Sequence, residues 1–423
     1  MNLILLIPIG VRLTVLFVAG ACLGGLANLG IYRLAYHRRR ISPFSAPADN
    51  APPRRLSDRV PIIGWLGLRR EESLHGRGFW IRPLLLELLA GIGLAALYWW
   101  EIGCQGLLPE RVPLPAPEGV IAVLHGQYVA HAILLVLMLV ASMIDIDEKS
   151  IPDAITVPGV LTGLVLGAVC PWTMLPVLVS TPGGVSFPPP DGWWLMHLAS
   201  PNAWPGLLDG GYGALIGLGC WLLWCVALLP RTWYARHGWR RAWQLMTARL
   251  AREPVTRLIV IMGLIGSVAI AAVWQHGGRA WVGLLSALVG MAASGGLVWT
   301  VRIVCSAALN REAMGFGDVT LMAMIGAFLG WQSCLMIFFL APFAGLVVGL
   351  LRLILFRDTE IPYGPFLCLA TVAVIVRWAS LWDWAFSIFS IGWLVPVTVG
   401  FCLLLMPIML GLWRLTLAAL PVK

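Results

Sequence analysis

The stretch LVASMIDIDEKSIPDAITVPG (residues 139–159) ends one apolar run, breaks for four acids and a lysine, and opens another. Residues 126–144 before the break and 155–175 around and after it contain no Asp, Glu, Lys or Arg. An α-helix needs roughly 20 apolar residues to cross about 30 Å of hydrocarbon, and both runs approach that length. Lipid leaves only helices and closed barrels as spanning structures, and the alternation of a barrel strand is absent. The stretch therefore predicts a membrane helix, a short polar connection and a second helix.

The rest of the chain repeats the pattern. Its 423 residues are 59% hydrophobic and 12% charged, with a mean hydropathy of +0.86. That is too little polar surface for a soluble globule of this size. The expectation is an all-α, polytopic transmembrane helical bundle of about eleven spans. They fall near 5–32, 84–100, 126–144, 155–175, 211–229, 258–274, 281–303, 319–333, 335–355, 364–378 and 386–412. The amino-terminal stretch has no basic region or small-residue cleavage site ahead of its apolar run, so it reads as a retained first span. Many of the 22 tryptophans, among them Trp99, Trp100, Trp193, Trp194, Trp378 and Trp382, lie near expected span ends, where indole favours the interface. The nine cysteines are scattered without a CxxC pair and read as small packing residues.

Charge assigns a side to each connection. The first loop carries Arg38, Arg39, Arg40, Arg54, Arg55, Arg59, Arg69, Arg70, Arg77 and Arg82. The loop after the fifth span carries Arg231, Arg236, Arg240, Arg241, Arg249, Arg252 and Arg257, whereas 101–125 and 176–210 hold only Arg111. By the positive-inside rule the basic loops face the cytoplasm, together with Lys149, Arg311 and Arg357. The net charge of +9 then follows from orientation, with attraction to anionic membrane lipid. The basic loops lack interleaved aromatics, so nucleic acid is not expected as a partner.

This topology brings two acids to one membrane face. Asp145 ends the third span and Asp318, in MGFGDVTLMAMIGAF (314–328), begins the eighth. A single acid at a helix start can simply favour the dipole; an acid at the edge of the hydrocarbon is otherwise a functional candidate. A close pair permits chemistry that neither allows alone, one carboxyl keeping its proton as acid while the other activates water as base. Such a pair hydrolyses peptides without a metal. Gly315 and Gly317 are expected to form a tight turn and to let a substrate strand approach.

These motifs, in this order, resemble the bacterial type 4 prepilin leader peptidases, GxGD-type intramembrane aspartyl proteases. MIDIDEKSIPD resembles the family's first aspartate motif and selects Asp145, with Pro152 and Asp153 closing it. EAMGFGDVTLMAMIGAFLGW resembles the second and selects Asp318. IPYGPFLCLA (361–370) is similar to the family's Pro-aromatic-Gly-Pro stretch, and 20–34, 60–69 and 82–91 resemble its amino-terminal region. The similarity extends over about two thirds of the chain, in line with a motif-based reading. Many members hold zinc through two CxxC pairs; GLRREESLHGRGFWIRP has no cysteine, so no metal is expected. Residues of about 170–280 form an enlarged region with an extra pair of spans. The implied organisation is an amino-terminal peptidase region (1–100), a membrane core (101–378) and a carboxyl-terminal span and tail (379–423).

The resemblance implies that Asp145 and Asp318 cut a prepilin or pseudopilin precursor after its short basic leader, at the cytoplasmic face of a bacterial inner membrane. Asp147, Glu148, Asp153 and Glu87 are candidate contacts for that leader. The peptidase needs no cofactor; S-adenosylmethionine enters only if the chain also methylates the new amino terminus, as many members do. Two other classes remain as rivals. An ion-coupled transporter predicts inverted repeats and discontinuous midplane helices, and a non-catalytic assembly scaffold would not need both acids.

Overall fold

The computed structural model describes residues 6–37, 41–44, 47, 50–109, 116–177, 180–181, 184–185, 194–230, 244, 247–248, 252–309, 314–355 and 362–419. Arg38 to Arg40, Arg111, Arg231, Arg236, Arg240, Arg241, Arg249, Arg311, Arg357 and Trp193 lie outside them. Eleven principal helices build the bundle: α1 (Ile9–Leu34), α2 (Ile81–Tyr98), α3 (Glu118–Glu148), α4 (Asp153–Val169), α5 (Gly211–Leu228), α6 (Pro254–His276), α7 (Gly278–Leu309), α8 (Phe316–Leu355), α9 (Gly364–Val376), α10 (Trp378–Phe389) and α11 (Leu394–Ala419). A two-residue hairpin, Ser180–Thr181 with Gly184–Val185, is the one sheet among the described residues.

Among the described residues, eight helices are long and apolar enough to cross a membrane, and nine if the bent pair α9 and α10 is one span. The expected eleven differs by two. Helix α4 has 17 residues, just short of a full crossing, and α8 is a folded-back pair. Its 40 residues contain Gly330 at φ 79°, ψ 169°, outside helical geometry. At a rise of 1.5 Å per residue, a straight helix would separate residues 318 and 345 by roughly 40 Å. Yet the charges of Asp318 and Tyr363 interact, and Gly345 packs on Phe366, three residues further on. The chain therefore reverses at Gly330, and limbs 316–329 and 331–355 correspond to the eighth and ninth expected spans. The last expected span, by contrast, begins only at Leu394, because α10 turns 91° from α9.

Contacts show which connections share an end of the bundle. Arg82 at the start of α2 pairs with Asp147 at the end of α3, and the Tyr36 and His37 amides after α1 bond Glu148. The first loop thus lies at the Asp145 end. At the opposite end, Trp331 and Gln332 donate to carbonyls of 197–200, Asn202 donates to the Ser390 carbonyl and Trp378 to that of Pro176. Trp378 and Trp382 lie near a span end as expected, but this segment encloses them: both are fully buried, their rings stacked 5.2 Å apart.

Small residues let the helices touch. In lipid no hydrophobic drive pulls helices together, so close backbone approach and dispersion must hold them. Gly20 and Gly24 of α1 leave no room for a Cβ against Ala90 and Glu87 of α2. Gly159, Gly163 and Gly167 line one face of α4 against Met324, Ala327 and Gly283, and Gly290 of α7 meets Gly326 of α8 backbone to backbone. Helices α5 and α6 pack on each other through the Trp221 indole, which donates to the Gly263 carbonyl.

Ion pairs clamp the first loop. Buried Asp58 accepts two bonds from Arg70, and buried Glu71 pairs with Arg54. The Arg70 bonds hold the Asp58 carboxyl below the usual carboxylate range. All nine cysteines are free, three of them buried.

Candidate active site

Asp145 occupies the last turn of α3, and Asp318 the first turn of α8. They come from segments 173 positions apart in the numbering, yet both are buried, at 5% and 6% exposure, and close enough for their charges to interact. Three local features make this approach possible. Lys149 adopts φ 54°, ψ 34° and caps α3 by donating its N–H to the Asp145 carbonyl, which turns the chain sharply into Ser150–Pro152. Ile151 then lies directly on Gly317: a Cβ there would stand 2.8 Å from Ile151 Cβ and 2.9 Å from its backbone nitrogen. Finally, a Cβ on Gly364 would stand 2.6 Å from Asp145 Oδ2. The first turn of α9 thus stands over that carboxyl, with the Gly364 N–H acting on it.

The roles of the glycines differ from the sequence expectation. Neither Gly315 nor Gly317 has a positive φ, so the turn does not require glycine on conformational grounds. Gly317 is required by contact with Ile151. Gly315 is exposed, with nothing nearer to an added Cβ than Asp318 Oδ2 at 3.8 Å, and it places its N–H beside that carboxyl.

The surroundings suit water activation. Asp145 Oδ2 is buried without a hydrogen-bond partner, an arrangement costly to folding and frequent where a group awaits a ligand. Burial pushes the Tyr363 phenol up to about 12, with Asp318 adding to this, so it stays protonated beside the pair. The Arg302 guanidinium acts on Asp318, donates to the Met314 carbonyl at 2.8 Å and lies 5.9 Å from the centre of the Phe316 ring. Arg302 therefore fixes the turn that presents Asp318. Tyr363, Gly364 and Arg302 were not singled out as site residues from sequence; the Pro-aromatic-Gly-Pro stretch was the available signal for the first two.

Of the four acids expected as leader contacts, three are engaged internally. Glu87 is buried and accepts from the Ile62 amide, Trp65 and Asn28, so it holds the first loop to α1 and α2 and does not face a substrate. Asp147 pairs with Arg82, and Glu148 caps the chain after α1. Asp153, in the first turn of α4, is exposed.

Residues 251–350 match the model of the type IV leader peptidase family. Through this segment the chain is similar to the type IV leader peptidase family. The match contains Asp318, Gly315 and Gly317, while Asp145 and Gly364 lie outside it. A prepilin leader peptidase/N-methyltransferase of Aeromonas salmonicida is 32% identical over 111 residues, 25% of this chain and 38% of the relative. Proteins of the same description from Legionella pneumophila and Pectobacterium carotovorum are 36% identical over 77 residues (18% and 27%) and 37% identical over 95 (22% and 34%). The chain thus spans between 27% and 38% of the length of these relatives, and the similarity covers less of it than the spread of the motifs suggested. No solved structure matches.

Proposed function

We propose that the chain is an aspartic endopeptidase that removes the short basic leader of a prepilin or pseudopilin precursor, with Asp145 and Asp318 as the catalytic pair. The observation that carries this reading is the meeting of two buried carboxyls at the ends of apolar helices, one with an unpartnered oxygen. In the reaction, the charged member of the pair takes a proton from water, and the water oxygen attacks the scissile carbonyl carbon. The protonated member donates its hydrogen to the carbonyl oxygen. Collapse of the tetrahedral intermediate breaks the C–N bond; the leaving amine takes up the proton held by the first carboxyl, and one hydroxyl of the intermediate returns its proton to the second, which restores the pair.

The site faces the cytoplasm of a bacterial inner membrane in this reading. Its support is the basic first loop at the Asp145 end, where Arg54, Arg55, Arg59, Arg69, Arg70, Arg77 and Arg82 lie. Asp153 is the acid left open to a basic leader. Methylation of the new amino terminus receives less support. A cavity of about 270 Å³ beneath the first loop is bordered by Asp58 and Glu87, but both carboxylates are taken up by internal donors, leaving a poor fit for the cationic methyl donor S-adenosylmethionine. No step is assigned to it; the mass of the processed pilin decides whether a methyl is added.

Co-expression with a precursor tests the peptidase. Asp145→Asn and Asp318→Asn are each expected to abolish processing while membrane insertion persists. Normal processing by either variant would overturn the assignment.

A further inference from the structure

An apolar groove of about 550 Å³ runs between α2, α3 and α9. Its walls are aliphatic and aromatic, with Ser142 the one hydroxyl. One end of the groove meets the acid pair. Ser142 lies one helical turn before Asp145, Pro365 follows the glycine that touches Asp145 Oδ2, and the Cys368 thiol is near enough to both carboxyls to interact with them. The other end lies by Trp99 and Val376. From Pro365 to Val376 a helix rises roughly 17 Å, or about three turns.

We propose that this groove seats the first three turns of the substrate's apolar helix, the part that immediately follows the cleaved bond and enters sideways from lipid. The proposal rests on the peptidase reading above. Continuity with the acid pair is its main support: an apolar helix lying here would deliver its own end, and so the bond preceding it, to Asp145. The shape of the wall adds to it. Ala90, Gly93 and Ala96 recur at three-residue spacing on α2, and small residues in such a row admit another helix and its large side chains. An added Cβ on Gly93 meets nothing within 4 Å, so the recess is open at that point. Leu89, Leu369 and Val372 are exposed along the rim, leaving a lateral path from the bilayer.

Site-specific photocrosslinking tests the placement. A benzoylphenylalanine at Leu369 or Val372, in an Asp318→Asn background that retains uncut substrate, is expected to capture a precursor with a basic leader and an apolar helix. The adduct should map to the first three turns of that helix. The same probe at Leu404 of α11, exposed on another face, should give none. Capture of lipid alone, or equal capture at Leu404, would overturn the proposal. In the active protein, Gly93→Leu is expected to raise KM for the precursor about tenfold with kcat changed less than about threefold, the pattern of lost binding; an unchanged KM would count against the groove. Failure of the peptidase reading shows differently, as an intact protein that leaves the precursor uncut or an Asp145→Asn variant that cuts it.

Discussion

Gly317→Ala is the sharpest test of how the two aspartates are held together. The added methyl would lie 2.8 Å from Ile151 Cβ and 2.9 Å from Ile151 N, where ordinary contact begins at 3.4 Å. Roughly half an ångström must be found, and the obstructing atoms include backbone, which cannot swing aside as a flexible side chain can. Overpacking of this kind costs about 1–3 kcal/mol. Relief requires the α3–α4 connection to move off the α8 turn, and that movement separates Asp145 from Asp318. Misplacement by about 1 Å can cost 10²-fold in rate, so a loss of about 10- to 100-fold in cleavage is expected. Gly315→Ala provides the contrast, since its nearest neighbour lies at 3.8 Å and the loss should stay within about threefold. Initial rates on a purified precursor, at matched amounts of membrane-inserted protein, measure both. Full activity in Gly317→Ala, or equal losses in the two variants, would refute the contact argument and restore a turn requirement common to both glycines.

Four further outcomes are expected. Arg70→Ala leaves buried Asp58 without its bidentate partner at a cost of about 1–3 kcal/mol, so limited proteolysis should cut the first loop faster; unchanged cutting would remove the clamp. Because the native Asp58 carboxyl titrates below its ordinary value of 3.8, its stabilisation is present above that pH and is lost as pH falls through the depressed native value; protease protection of the loop should weaken there and not on the alkaline side. Glu101→Ala deprives buried His131 of its 2.7 Å partner within the π turn Trp99–Gly103, and about 1–3 kcal/mol should be lost, seen as a lower Tm in detergent; an unchanged Tm would count against it. Asp153→Lys should raise KM for a basic leader and leave that for a leader of neutralised charge nearly unchanged, whereas an equal effect on both would discard Asp153 as a leader contact.

The amino-acid order by itself determined the class of fold, the approximate position of the helices and the two aspartates. These are local properties. Apolar run length, the placement of arginine and the acid at each run's end can all be read within a few turns of chain. Even the folded-back α8 was legible, since the apolar stretch from Val319 to Leu355 exceeds one membrane crossing. Only the tertiary structure decided what each polar group does once helices distant in sequence meet. Glu87, a candidate substrate contact by position, is consumed by Ile62, Trp65 and Asn28. Arg302 and Tyr363 join the site although nothing in their own neighbourhoods marks them as partners of Asp318. Gly317 and Gly315 look alike in sequence and differ because Ile151, more than 160 positions away in the numbering, lies against one and not the other. Contact between remote segments depends on the distance at which helices pack, and that distance is set by glycines on facing surfaces, not by the composition of either helix alone.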